Sequence, residues 1–178
     1  KIVAMASSSD RDTKRTSYRA IAHIGEVGYN SFFSKAISSN KNYQRAYAIQ
    51  MNFLYLRQLK DKTAAAKTCR SYISKLQDQQ DTPFFINALS TLLEVDRNST
   101  DEVLKYLEHA NPRIRTGVAR ILKSSGSKAV SKKLMSRLPS ANTAAQIEII
   151  DIMTKLDAAA IAPFIFKSLT STDTDLQK

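Results

Sequence analysis

Sliding the segment "NPRIRTGVARILKSSGSKAVSKKLMSRL" along the chain until Asn111 falls on Asn142 lays it over "NTAAQIEIIDIMTKLDAAAIAPFIFKSL". Ile121 then meets Ile152, Leu122 meets Met153, Val130 meets Ile161 and Leu138 meets Leu169. The two segments share a pattern of apolar positions more than an identity. Self-similarity at this period marks a repeated supersecondary unit, each copy too small to bury its apolar face without a neighbour.

The local chemistry makes that unit a pair of helices. Asn111 is placed to accept a bond from an orphan N–H as N-cap, and Pro112 occupies the first helical position, where its missing donor costs nothing. Ile114, Val118, Ile121 and Leu122 form one apolar stripe, and Gly126 ends the helix as a C′ residue. Val130, Leu134, Met135 and Leu138 make the stripe of a second helix, which stops at Pro139.

Less regular pairs precede it. Asp10 to Gly25 is followed by "YNSFFSKAISS", and Asn42 to Leu59 by "TAAAKTCRSYISKLQ". "PFFINALSTLLEV" is followed by "STDEVLKYLEHA", where Ser99 or Thr100 caps a helix with Asp101 and Glu102 in its first turn. The span from Asn42 to Gln80 is long for one unit, so a merged or irregular pair is expected there. With only four Gly, four Pro and little period-two alternation, an all-α chain of about five helical hairpins follows.

"VLKYLEHANPRIRTGVARILKSSGSKAVSKKL" resembles a HEAT repeat of the short bacterial type. Leu104, Leu107, Asn111, Pro112, Ile114, Arg115, Ala119 and Leu122 match its pattern, and Lys123 departs from the usual Gly. Armadillo-like and other helical-pair solenoids share the same periodicity. The resemblance implies a right-handed α-α superhelix over residues 1–178 as a single helical-repeat domain, with second helices lining a concave face. It also implies that Arg115 reaches an acidic side chain or helix-end carbonyls of the adjoining repeat, and that the protein works as a scaffold.

Charge is distributed in blocks. From Val27 to Gln77 there are nine Lys or Arg against one acid; from Asp78 to Glu108 two against seven; from Ala110 to Ala141 eight against none. The net charge of +11 favours acidic partners, and an acidic middle interrupts a continuous track for a phosphate backbone. The candidate binding cations lie on the second helices: Lys67, Arg70 and Lys75 in one block, Lys128, Lys132, Lys133 and Arg137 in the other. Helical spacing lets one side of a helix carry the last four together. Arg113, Arg120 and Lys123, on the neighbouring first helix, are read as outward-facing and free to meet a partner.

Catalytic signatures are missing from the sequence. His23 and His109 have no second ligand at metal-binding spacing, which argues against the HEAT-like hydroxylases and their His-Glu pairs. Both are read as structural, with His109 near a helix end that favours its charged form. There is no Gly-x-Ser-x-Gly, no Cys near a His and no Gly-rich phosphate loop. The aromatic residues, as in "FFINALSTLL", fall largely at stripe positions that suit core packing.

The expected function is therefore a non-enzymatic protein–protein scaffold without cofactor or metal, its partner a protein of acidic character. Nucleic-acid binding through the basic blocks is the alternative, extending to a HEAT-like DNA glycosylase. The lone Cys69, read as a small buried hydrophobe, excludes an internal disulfide. A redox-neutral, cytoplasmic compartment is the simpler expectation, with a secreted chain without disulfides left open. No apolar run is long enough to span a bilayer. A first residue Lys1 and a polar end "TSTDTDLQK" suggest a piece of a longer protein.

Overall fold

A computed structural model describes residues 1–26, 28–39, 42–76 and 81–168. Asp78 to Gln80, at the head of the acidic block, and the tail from Leu169, including "TSTDTDLQK", lie outside the described residues. The described chain is all-helical, with no strand. It divides into two units, Lys1–Arg97 and Asn98–Lys178.

In the first unit the helices are α1 (Ile2–Met5), α2 (Arg11–Ile24), α3 (Asn30–Ser39), α4 (Asn42–Gln58), α5 (Lys62–Lys75) and α6 (Thr82–Val95). The sequence did not announce α1. Asp10 starts α2 by accepting the Thr13 N–H at 2.7 Å, and Gly25 ends it in the left-handed region at φ 62°. Asp61 caps α5 through the Ala64 N–H at 2.9 Å.

Helix α4 is the hub of this unit. It lies against α2 on one side, α3 on another and α6 on a third, and touches its sequence partner α5 least. Ala48, Ile49, Met51, Asn52, Phe53, Tyr55 and Leu56 are all buried, so α4 is enclosed nearly all round rather than along one stripe. Helix α5 packs instead on α6. Helices α2 and α3 meet through Tyr18, whose ring sits edge-on to Phe32 and Phe33 at 5.2 and 6.4 Å. The sequence pairs α2 with α3 and α4 with α5; the backbone places α3 on α4 and α5 on α6. An apolar stripe is satisfied by either neighbour, and the periodicity does not say which.

The second unit holds α7 (Thr100–Leu104), α8 (Pro112–Ser125), α9 (Lys128–Arg137), α10 (Thr143–Leu156) and α11 (Ala158–Ser168). The single helix expected from Ser99 to Ala110 is instead the short α7 running into a 3-10 turn over Lys105–Glu108. Ser99 holds the N-cap position without a side-chain cap bond. His109 and Asn111 are extended, as residues approaching Pro112 prefer, and this ends the helix early.

Helix α8 begins and ends where its residues dictate. Asn111 accepts the Arg113 N–H at 2.9 Å, Pro112 opens the first turn, and Gly126 closes the helix at φ 59°. Asn142 caps α10 in the same manner through the Ala145 N–H at 2.9 Å. Helix α9 ends at Arg137, just ahead of Pro139, and the chain goes on through a 3-10 turn, Leu138–Ser140. Positions brought together by the 31-residue slide share an environment, with Ile121, Ile152, Leu122, Met153, Val130 and Ile161 all buried. In packing, α10 takes α8 and α9 on its flanks and α11 beyond.

Candidate binding surface

Six cations of the basic blocks are held by carboxylates from elsewhere in their own unit. In the first unit Arg45 forms a two-pronged bond to Asp81 at 3.0 and 3.4 Å, Arg57 reaches Glu94 at 2.7 Å, and Arg70 reaches Asp96 at 2.9 Å. In the second, Lys133 pairs with Asp101 at 2.5 Å, Arg137 with Glu108 at 3.2 Å, and Lys123 with Asp151. Acids of the middle block thus neutralise part of each flanking basic block. Asp81 stands at the N-cap of α6 yet gives its carboxylate to Arg45 instead of to a helix N–H.

This changes the expected patches. Of the seven candidates, Arg70, Lys133 and Arg137 are held in ion pairs, while Lys67, Lys75, Lys128 and Lys132 are exposed and form no ion pair among the described residues. Helix α9 does not present its four cations as one patch: Lys133 and Arg137 face acids, and Lys128 and Lys132 face solvent. Lys123 is not free either, whereas Arg113 and Arg120 are exposed. Because these pairs are partly exposed, each adds little: a double-mutant cycle on Arg57 and Glu94 is expected to return a coupling of about 0.5–1 kcal/mol, reduced at high salt. Coupling unchanged by salt would contradict that reading.

Arg115 lies at the turn into α8, where its Nη1 donates to the carbonyls of His109 at 2.9 Å and Ala110 at 3.0 Å. It ties the end of the preceding 3-10 turn to the first turn of α8. His109 joins the same corner, its Nδ1 accepting the Asn111 N–H at 3.0 Å.

Among the described residues, no group of three or more His, Cys, Asp or Glu is placed to hold a metal ion, and no helix is long and apolar enough to cross a membrane. Cys69 is fully buried, and burial pushes its thiol up to about 12, with Arg57 and Arg70 pulling only weakly the other way. Native protein is therefore expected to resist thiol alkylation at mildly alkaline pH and to react once unfolded. The raised value also has a sign for stability. The native state keeps a proton that the unfolded chain loses from about pH 9, so this contribution is intact below that and falls as pH rises toward about 12. Chemical denaturation across that range should show a shallower decline in Cys69→Ala than in the parent; parallel curves would refute it.

One surface collects side chains suited to binding, and the sequence reading did not nominate it. On α2, Arg11 and Arg15 stand one turn apart; on α4, Tyr43 and Tyr47 do the same. The Arg11 guanidinium lies 4.9 Å from the Tyr43 ring centre, and Arg15 lies 4.9 Å from Tyr47 and 5.7 Å from Tyr43. The Tyr47 hydroxyl donates to the Arg15 carbonyl at 3.1 Å, and Tyr43 remains 51% exposed. From there a groove of about 300 Å³ runs over α4 to α6, lined by Arg15, Tyr47, Gln50, Pro83, Phe84 and Asn87. Phe84 is half-buried here while Phe85, next to it in "FFINALSTLL", is buried, so the run is not all core.

A signal for this surface was present. Arg11 to Tyr43 and Arg15 to Tyr47 are both 32 residues apart, close to the repeat period. A larger depression of about 540 Å³ lies between α1 and α3, lined by Val3, Ala6, Tyr29, Phe32 and Lys35 among others. Its one cation, Lys35, is already engaged, which leaves little to orient a ligand. No protein-family model matches the chain, and neither the curated proteins nor the solved structures compared with it give a match.

Proposed function

We propose that the chain is a HEAT-like helical repeat protein acting as a non-enzymatic scaffold, and that it binds an extended, acidic segment of a protein partner in the α2–α4–α6 groove. The repeat reading is supported by a recurring order within the units. First helices lie side by side, α2 by α4 by α6 and α8 by α10, and α3, α5 and α9 each pack on the first helix that follows. Arg115, bonded to carbonyls just before α8, sits where the HEAT pattern expects its arginine.

The observation that carries the function is the lining of the groove. Arginine, tyrosine and phenylalanine line it with neutral amides and no acid, the composition that supplies most hot spots in protein interfaces. The second-helix cations suit a long polyanion poorly, since three of the seven are committed to carboxylates.

A random peptide library panned on the chain at moderate salt tests this. Retained peptides should be acidic, and Tyr43→Ala or Phe84→Ala should cut their binding about tenfold or more, as hot-spot truncation does. Lys128→Glu with Lys132→Glu should leave it unchanged. The opposite pattern, with single-stranded oligonucleotides bound in a steeply salt-dependent way, would replace the scaffold with the nucleic-acid reading.

A further inference from the structure

We propose that the α2 end of this groove is a socket for a phosphate monoester carried on the bound protein segment, so that phosphorylation of the partner sets its affinity. The inference rests on the groove reading above. A recess of about 90 Å³ opens between α2 and α4, and Ser9, Arg11, Lys14, Arg15, Tyr43 and Gln44 are among the residues lining it. Three cations converge and no carboxylate does. Asp10 turns its carboxylate to the Thr13 N–H at 2.7 Å, and neither it nor Asp12 lines the recess.

Lack of an ion pair, which this cluster shares with Lys67, Lys75, Lys128 and Lys132, is combined here with convergence on one recess. Arg45, Arg57, Arg70, Lys123, Lys133 and Arg137 all have acidic partners, whereas Arg11, Lys14 and Arg15 form no ion pair among the described residues. Both guanidinium groups lie over tyrosine rings at 4.9 Å, and no described carboxylate takes up their N–H forks. Two such forks, an ammonium and the Ser9 hydroxyl suit a group with about two negative charges and three acceptor oxygens better than one carboxylate.

The same geometry favours a protein-borne phosphate over a nucleic acid. Arginines already lie over the Tyr43 and Tyr47 rings and compete with a base for stacking there. Beyond Arg15 the groove continues through Gln50, Pro83, Phe84 and Asn87 without another cation in its lining, and nearby Arg45 is held by Asp81. One phosphate finds a seat, and the next along a polynucleotide would find none.

Phenyl phosphate titrated into the full chain should move the Nε–H signals of Arg11 and Arg15 and the ring signals of Tyr43 saturably in NMR spectra. Arg113 and Arg120 should stay still, and the response should vanish in Arg11→Gln/Arg15→Gln. That variant should keep the parent's circular dichroism and thermal midpoint; if it does not, Arg11→Lys/Arg15→Lys takes its place, keeping the charge while losing the forks and most of the response. Equal movement at Arg113 and Arg120, or with sulfate, overturns the socket.

A phosphoserine-centred peptide library should be retained at least about tenfold better than its serine counterpart, the gain of one charge-assisted bond. Equal retention of the two libraries, insensitive to the arginine variants, overturns the phosphate inference and leaves the groove reading standing. Retention of neither library overturns both. An oligonucleotide that displaces the phosphopeptides by occupying Arg11 and Arg15 overturns the protein-borne source.

Discussion

Gly25→Ala is expected to cost about 3 kcal/mol, while Gly126→Ala, at a helix end of the same conformation, is expected to cost about 1 kcal/mol. Both glycines have φ near 60°, where an L side chain crowds its own backbone. What differs is the surroundings. A Cβ on Gly25 would stand 2.8 Å from the Gln58 carbonyl oxygen and 3.0 Å from its carbon, whereas a Cβ on Gly126 meets nothing within 4 Å. A carbonyl in the last turn of α4 cannot swing aside as a side chain would, so the α2 end must lift from α4. Hydrogen exchange of buried amides in α2 and α4 would report the first loss, and those of α8 the second. Equal losses in the two variants would mean that the close approach of Gly25 to α4 does not matter.

Removing Tyr55 should be as damaging, and its two parts are separable. The side chain is fully buried, its ring centre lies 5.4 Å from that of Phe33, and its hydroxyl donates to the Glu26 carbonyl at 2.9 Å. Tyr55→Phe keeps the ring and leaves that carbonyl short of a donor, a loss of about 1–2 kcal/mol. Tyr55→Ala adds a cavity under α3 and should cost about 4 kcal/mol, in the range of large aromatic truncations. Urea denaturation followed by circular dichroism measures both. A phenylalanine variant as unstable as the alanine variant would assign the role to the hydroxyl alone.

How much of this was readable beforehand follows from how local each cause is. Asn111, Pro112 and Gly126 mark the ends of α8 because caps act through bonds a few residues long. Asp10 and Gly25 do the same for α2. The choice of neighbours was not readable. Helix α4 is buried nearly all round, so its sequence offers no single stripe, and whether α5 turns to α4 or α6 depends on backbones distant in the chain. Charge suffered most from this. Arg70 and Lys133 look alike to Lys67 and Lys132 until Asp96 and Asp101 arrive from another helix. The Arg11–Tyr43 and Arg15–Tyr47 pairs are hidden in the same way: each half is unremarked alone, and only the helix register joins them.

The inter-helix ion pairs have a consequence for how such a chain avoids misassembly. Similar amphipathic helices could dock in each other's places, since an apolar stripe accepts a wrong partner at little cost. The sign order differs from junction to junction. Arg45, Arg57 and Arg70 come before their acids in the chain, as Lys123 comes before Asp151, but Lys133 and Arg137 come after Asp101 and Glu108. A helix that took its neighbour's berth would set like charges together or leave carboxylates without a cation. Each pair adds little to the depth of the native state, yet together they tell the correct neighbour from its look-alikes while the units are forming.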